Sequence, residues 1–369
     1  MNQLFRWDQT GLFLLALAAG ILPFAVPEVC AAALREGLTL CSGPLLLSLF
    51  PFLVVSRLLI QCPESDLLAL PFRLAAWGIG IRTPCAARVL CIGFLGGFAP
   101  AASAAAQAVR TGQLTAEEAD ALLPACICSG PSFVVLTVGQ SLLGSAELGV
   151  LLFASQITAN YLTAALLNRF AGVRSVKPGS AAPASPAPPR LDEILADAAI
   201  TYCKLCGFIL FFRMLAAGAG ALLPAGAGTL CAVLLEVCSG CDLASRTGRW
   251  GSLLCCAALS VQGLSVLLQV RTICPPEMTL RPLYRSRLLH LPLSLTLFYL
   301  LLPGGEADVF STLPARILLM RRVPPDCALL VFAMCCMAAC TLRSGIRQVE
   351  QKQMARNAGG CCINSKTLL

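Results

Sequence analysis

Glu236 stands in the run Leu234-Leu235-Glu236-Val237-Cys238-Ser239-Gly240, where every neighbour is apolar or small. A carboxylate in such surroundings is costly, so by default it marks a proton or cation site, or an acceptor for a polar solute. Ser239 adds a hydroxyl, and Gly240 can loosen the helix and free backbone groups for a ligand. The other reading is a structural ion pair with Arg213 or Lys204 of the preceding apolar stretch. In Ser129-Gly130-Pro131-Ser132, Pro removes a donor and Gly relaxes the backbone. A helix break there would expose N–H groups suited to an anionic or polar group; an ordinary Pro-kinked helix is the alternative. Gln262, Ser265 and Gln269 fall at i, i+3 and i+7 on one helix face, and Gln156 and Asn160 at i, i+4, with Gln140 nearby. Such side chains either line a polar cavity or hold helices together.

Other chemistry is thinly represented. His290 is the single histidine, and no Ser/His/Asp, Cys/His or paired-carboxylate arrangement is visible, so the expectation is a non-enzyme. The 21 cysteines include the spacings Cys203-x-x-Cys206, Cys238-x-x-Cys241 and Cys126-x-Cys128. They lie in apolar runs without further close nitrogen or sulfur ligands, and read as small packing hydrophobes. No metal or cofactor is expected. The glycines at 93, 96 and 97 lack the Lys-Ser/Thr end of a phosphate loop and read as sites of close helix contact.

The elements that must position these residues follow from composition. The 369 residues are 57% hydrophobic and 12% charged, with a mean hydropathy of +0.79; soluble domains carry about 25% charge. That excludes a soluble enzyme and a disordered chain, and leaves an all-α polytopic transmembrane bundle. Scattered arginines without interleaved aromatics give no support for nucleic acid as a partner. Clear spans are expected at 10–26, 44–60, 148–167, 194–217, 288–302 and 327–342. Four further stretches, 86–108, 122–143, 226–243 and 251–270, are broken by Gly, Pro and polar residues. Broken or re-entrant helices are tolerated at depth only where they line a cavity or are buried in protein. The first span imitates a secretory signal, but the spans after it favour an uncleaved helix. Thr115-Ala116-Glu117-Glu118 is a capping box that opens a short acidic helix.

These features divide the chain into N-terminal helices (1–84), a first repeat (85–170), a Pro/Ala/Ser linker (171–190), a second repeat (191–287), C-terminal helices (288–342) and a basic tail (343–369). A faint repeat pairs Cys128-Ser129-Gly130 with Cys238-Ser239-Gly240. If all ten stretches cross and the basic tail is cytoplasmic, both termini lie inside. The 57–88 and 271–287 regions then lie inside as well, with 110–120, 245–250 and the linker outside. Three spans on each side of the linker make two inverted three-segment repeats, as in many secondary transporters. The basic residues Arg169, Arg174, Lys177 and Arg190 around the linker fit that placement poorly.

GFLGGFAPAAS (Gly93–Ser103), RTGQLTAEEADALLPACICSGPSFV (Arg110–Val134), LLEVCSGC (Leu234–Cys241) and SVQGLSVLLQV (Ser260–Val270) resemble, in order, the sporulation integral membrane proteins of endospore-forming bacteria. These carry two nucleoside-recognition (Gate) domains. The resemblance implies a multi-pass inner-membrane protein of spore formation, with transport of a small nucleoside-like solute or an ion through Gate-type repeats. Its partners would be the bilayer, the solute or coupling ion, and further copies of the chain or spore-envelope proteins. Where the family carries a tyrosine, an asparagine pair and a histidine, this chain has Phe98, Ile127-Cys128 and an apolar segment near Leu267. Those departures thin the polar contacts and motivate a second expectation, a non-transporting scaffold for spore-envelope assembly.

Overall fold

A computed structural model describes residues 9–172 and 191–302. The linker residues 173–190, the expected last span 327–342 and the basic tail lie outside the described residues. The described secondary structure is helical, joined by turns and short loops, with no strand among the described residues. Fourteen α-helices follow in order: α1 Gln9–Ala25, α2 Pro27–Ser42, α3 Pro44–Gln61, α4 Leu70–Gly78, α5 Pro84–Gly96, α6 Phe98–Arg110, α7 Ala116–Cys126, α8 Ala146–Ala171, α9 Leu191–Leu222, α10 Ala225–Leu235, α11 Val237–Ser245, α12 Gly251–Val261, α13 Gly263–Ile273 and α14 Arg281–Leu301. A π-helical segment, Ser132–Leu142, follows α7. Among the described residues, those up to Gln61 and from Pro71 onward form one compact unit, and Cys62–Leu70 lies outside it. Cys62–Leu70 forms a turn in which the Ser65 hydroxyl donates to the Cys62 carbonyl at 2.6 Å.

Three helices, Ala146–Ala171, Leu191–Leu222 and Gly248–Ile273, are long and apolar enough to cross a bilayer. The protein is a membrane protein, and large apolar side chains such as Phe170, Leu288 and Leu300 stand 71–82% exposed on its flanks. In water such a surface would aggregate, whereas in a bilayer it meets lipid.

The four interrupted stretches are of two kinds. Two are hairpins. α5 and α6 fold back on each other about Gly97, bringing Gly93 against Ala101 and Gly96 against Pro100. α10 and α11 do the same about Glu236, with Gly240 against Val233. The other two are broken traverses. α8 runs antiparallel to the whole of α7 and the π segment: Asn168 donates to the Ala121 carbonyl at 3.1 Å and Asn160 to the Ile127 carbonyl at 3.3 Å. Further along α8, Gly149 packs on Val135 and Gly139 of the π segment. α12 and α13 together make the second broken traverse within the candidate span Gly248–Ile273.

The bundle therefore contains the same series twice, a long helix, a hairpin, a broken traverse and a long helix: α3, α5–α6, α7–π, α8, and then α9, α10–α11, α12–α13, α14. Cross-contacts are reciprocal. α3 packs on α9 and α8 on α14, while α6 meets α13 and the π segment meets α11. Three traverses and one hairpin reverse direction, so the second set is inverted and its hairpin enters from the opposite end. This differs from the expectation that every stretch crosses, because two of the four interruptions are turns. The packing also equates Gly97 with Glu236, and Gly130 with Gln262–Gly263. The short Cys-Ser-Gly match paired a traverse with a hairpin, because three-residue matches carry little register information in a chain rich in Ala, Leu and Cys.

One end gathers most of the basic side chains. Arg57 of α3 pairs with Asp197 of α9 at 2.5 Å. Arg88 donates to the Ile60 carbonyl at 2.8 Å. The carboxylate of Asp120 in α7 accepts from the Thr279 and Leu280 amides ahead of α14, at 2.8 and 3.1 Å. Thr115 and Glu118 close the capping box beside them. The C-terminal end of α8 and the start of α9, which flank the linker, lie at this end, with Arg82, Arg110, Arg169, Arg271 and Arg281. Arg246 and Arg249 lie at the other, between α11 and α12.

An epitope inserted after Gly112 and another after Glu277 should be reached from the same side of sealed vesicles, and one after Gly248 from the opposite side. A Gly112 epitope found on the Gly248 side would overturn the hairpin assignment.

Candidate functional site

Each hairpin tip rests on the break in a traverse. Gly97 has φ 82° and ψ −163°, a conformation open essentially only to glycine. A Cβ there would lie 2.6 Å from the Gly130 nitrogen and 2.9 Å from its Cα. Gly130 thus accommodates the tip of α5–α6, in the non-helical stretch that separates α7 from the π segment. Ser129 is buried and Pro131 begins the next helical turn. At the second tip Glu236 is extended, with φ −150° and ψ 124°. Its carboxylate accepts from the Cys238 and Ser239 amides at 2.9 and 2.7 Å, capping α11. Gly263 lies against it, with room for a Cβ only 3.1 Å from the Glu236 nitrogen.

This corrects two expectations. Glu236 is 1% exposed, and the acceptors of its carboxylate are turned on its own helix. Arg213 pairs instead with Glu36 at 2.7 Å, and Lys204 lines a cavity at the basic end. Gln262 is not in helical register with Ser265 and Gln269. It occupies the break itself in the left-handed conformation, φ 67°, because a residue with positive φ is needed to re-aim α13 onto the tip of α10–α11. Gln269 donates to the Ser265 hydroxyl at 2.9 Å within α13. Gly240 serves the close approach of α10 and α11, a Cβ there lying 2.8 Å from the Val233 Cα.

Gln156 and Asn160 belong to a buried polar network between α8, α12 and α14. Gln156 donates its amide to the Ser260 hydroxyl at 2.9 Å and the Cys256 carbonyl at 3.2 Å. Asn160 accepts from the Arg287 guanidinium at 3.2 Å while donating to the Ile127 carbonyl at the break in α7–π. Arg287 also reaches the Ser260 carbonyl at 3.5 Å. Ser260 and Ser294 share a 2.5 Å bond, and His290 Nε2 meets the Gln156 carbonyl at 3.2 Å. Arg287 is 8% exposed, and among the described residues no carboxylate pairs with it.

Buried atoms without a hydrogen-bond partner include Gln156 Oε1 and His290 Nδ1 in this network, Gln262 Oε1 at the break between α12 and α13, and Gln269 Oε1 further along α13. Gln156 and Gln262 each place their amide nitrogen on a backbone carbonyl, which fixes the orphan atom as the oxygen. The unfilled Gln156 oxygen, in a network that also holds the Arg287 guanidinium by long, weak bonds, suits a solute that both donates and accepts.

Arg287, His290, Ser260 and Ser294 were not singled out as site residues by the sequence. Arg287 reads there as the end of a basic loop, yet it lies buried in α14 and not in that loop. The available signal was the pair Arg287 and His290 at i, i+3 leading into an apolar run. No protein-family profile, no curated protein and no solved structure matches the chain.

Gly97→Ala should lower the unfolding midpoint in detergent by the equivalent of about 1–3 kcal/mol. Gly207→Ala, where a Cβ meets nothing within 4 Å, should leave it unchanged or raise it; equal effects of the two would contradict the tip contact. Asn160→Leu should cost roughly 1–3 kcal/mol by stranding Arg287. Adding Arg287→Met should restore part of that loss, since apolar replacement of both partners removes the unpaired charge. Strictly additive losses in the double variant would argue against coupling between them.

Proposed function

We propose that the chain is a multi-pass cell-membrane protein that moves a small polar solute, nucleoside-like or ionic, by opening its two hairpins in alternation. The observation that carries this reading is a hairpin from each end of the bundle whose tip meets a broken traverse, beside buried polar atoms without partners. Broken helices at depth bring backbone groups to a solute, and an inverted pair gives two equivalent gates facing opposite sides. The bound solute would face Arg287, Asn160 and the Gln156 oxygen, with the Gly130 and Glu236 regions as the moving edges.

An excess of arginine at one end supports a topology with that end in the cytoplasm, which differs from the ten-crossing topology at the ends of α8 and α9. The expectation that both termini are cytoplasmic falls on residues 1–8 and 303–369, outside the described residues. A role in spore formation is supported by the resemblance of the Gly93–Ser103, Arg110–Val134, Leu234–Cys241 and Ser260–Val270 stretches to the sporulation membrane proteins.

A second reading, a scaffold of the spore envelope, is favoured by one observation. The Glu236 carboxylate is engaged by the α11 amides, leaving the clearest acid as a cap. Purified protein in liposomes, offered a panel of nucleosides and small metabolites, separates the two. Transport predicts uptake of at least one compound, reduced at least tenfold by Arg287→Met and by Glu236→Gln in protein that still folds. No uptake across the panel, with spore formation restored by both variants in a deletion host, would favour the scaffold.

A further inference from the structure

A second polar feature lies at the basic end, apart from the proposed solute path. α3, α6, α9 and α13 line a partly open cavity of about 180 Å³, room for roughly six waters at about 30 Å³ each. Three cations line it, Arg57, Arg110 and Lys204, against one carboxylate, Asp197.

The cations are incompletely used. Arg57 is 8% exposed; one of its amino groups pairs with Asp197 and the other reaches the Thr201 hydroxyl at 3.4 Å. Its Nε is buried without any hydrogen-bond partner. Arg110 makes a single long bond, 3.4 Å, to the Ile273 carbonyl. Lys204 forms no hydrogen bond or ion pair with any described residue. Ser103 is 3% exposed and lines the same cavity, its hydroxyl free of described partners. A buried guanidinium with an unfilled donor is expensive to maintain unless an acceptor arrives.

We infer that this cavity binds a phosphate group, carried either by a free phosphate anion or by the headgroup of an anionic phospholipid. The unfilled Nε of Arg57, the guanidinium fork of Arg110 and the ammonium of Lys204 border one small space, a donor set that matches a compact oxyanion with several acceptor oxygens. The hydroxyl of Ser103 can donate a further bond. Asp197 holds Arg57 in place when the cavity is empty of anion and opposes binding by like charge. The location admits either source. α9 is 32 residues long, about 48 Å at 1.5 Å per residue, which exceeds a hydrocarbon core of about 30 Å. The excess of about 18 Å is enough to bring Asp197, six residues from the start of α9, to headgroup level, and the long side chain of Lys204, two turns further in, reaches toward it.

The test measures the unfolding midpoint of the full chain in neutral detergent. Inorganic phosphate is compared with chloride at equal ionic strength, and micelles doped with phosphatidylglycerol with micelles doped with phosphatidylcholine. A rise with phosphate identifies a free anion, and a rise with phosphatidylglycerol alone identifies a lipid headgroup; either supports the site. Arg110→Ala combined with Lys204→Ala, both exposed positions, should weaken the apparent affinity at least tenfold. Asp197→Asn should tighten it severalfold, a gain that misfolding cannot imitate. No rise with either additive, or an unchanged rise in the Arg110/Lys204 double variant, would overturn the inference.

Discussion

Backbone that leaves the helix inside a membrane must find its hydrogen-bond partners within the protein, and this constraint organises the bundle. The chain breaks its helices at Gly97, between Ile127 and Pro131, at Glu236 and at Gln262. Each break is covered by another. Gly97 closes on Gly130, and Glu236 on Gly263. Glu236 fills its local deficit directly, since its carboxylate takes the amides that the start of α11 leaves open. A carboxylate at depth becomes tolerable in that role because charge-assisted bonds to a helix N-terminus offset part of its desolvation.

The same constraint explains the placement of small residues. Gly139 and Gly149 bring the π segment against α8, and Gly220 and Gly228 bring α9 against α10. In lipid there is no hydrophobic gain from helix association, so close backbone approach supplies much of the contact energy. Larger polar side chains then collect where helices of both repeats converge. Gln156 and Asn160 of α8 face Arg287, His290 and Ser294 of α14 across the packing of the two equivalent long helices. Symmetry brings these helices together, but their polar residues are not copies of one another. The network is therefore a property of this chain's assembled form, and its unfilled acceptors are what give it chemical interest.

Fold class was legible because it follows from totals: too little charge for a water-facing surface, and enough apolar length for helices across a bilayer. The four interruptions were legible too, since Gly, Pro and buried acid are local signals. Their geometry was not. Whether Gly97 turns the chain back while Gly130 lets it continue depends on which surface lies opposite, and neither residue's neighbours encode that. The Cys-Ser-Gly repeat shows the hazard, pairing two breaks that serve different elements. Arg287 was hidden for a related reason, since an arginine at the edge of an apolar run looks like a loop residue until α8 and α12 are packed around it.

The sequence by itself determined that this is an all-α membrane protein, where its helices fail, and that Glu236, Gln156 and Asn160 lie in apolar surroundings. These are one-dimensional properties, set by composition and by the conformational limits of Gly and Pro. Tertiary structure alone decided that two interruptions are hairpins from opposite ends, that Glu236 caps α11 and does not pair with Arg213, and that Arg57, Arg110 and Lys204 share one cavity. The cap on α11 is itself local, but the other outcomes rest on contacts between residues tens to more than a hundred positions apart, as Gly97 on Gly130, Arg57 on Asp197 and Arg213 on Glu36, and they emerge only when the helices pack against one another.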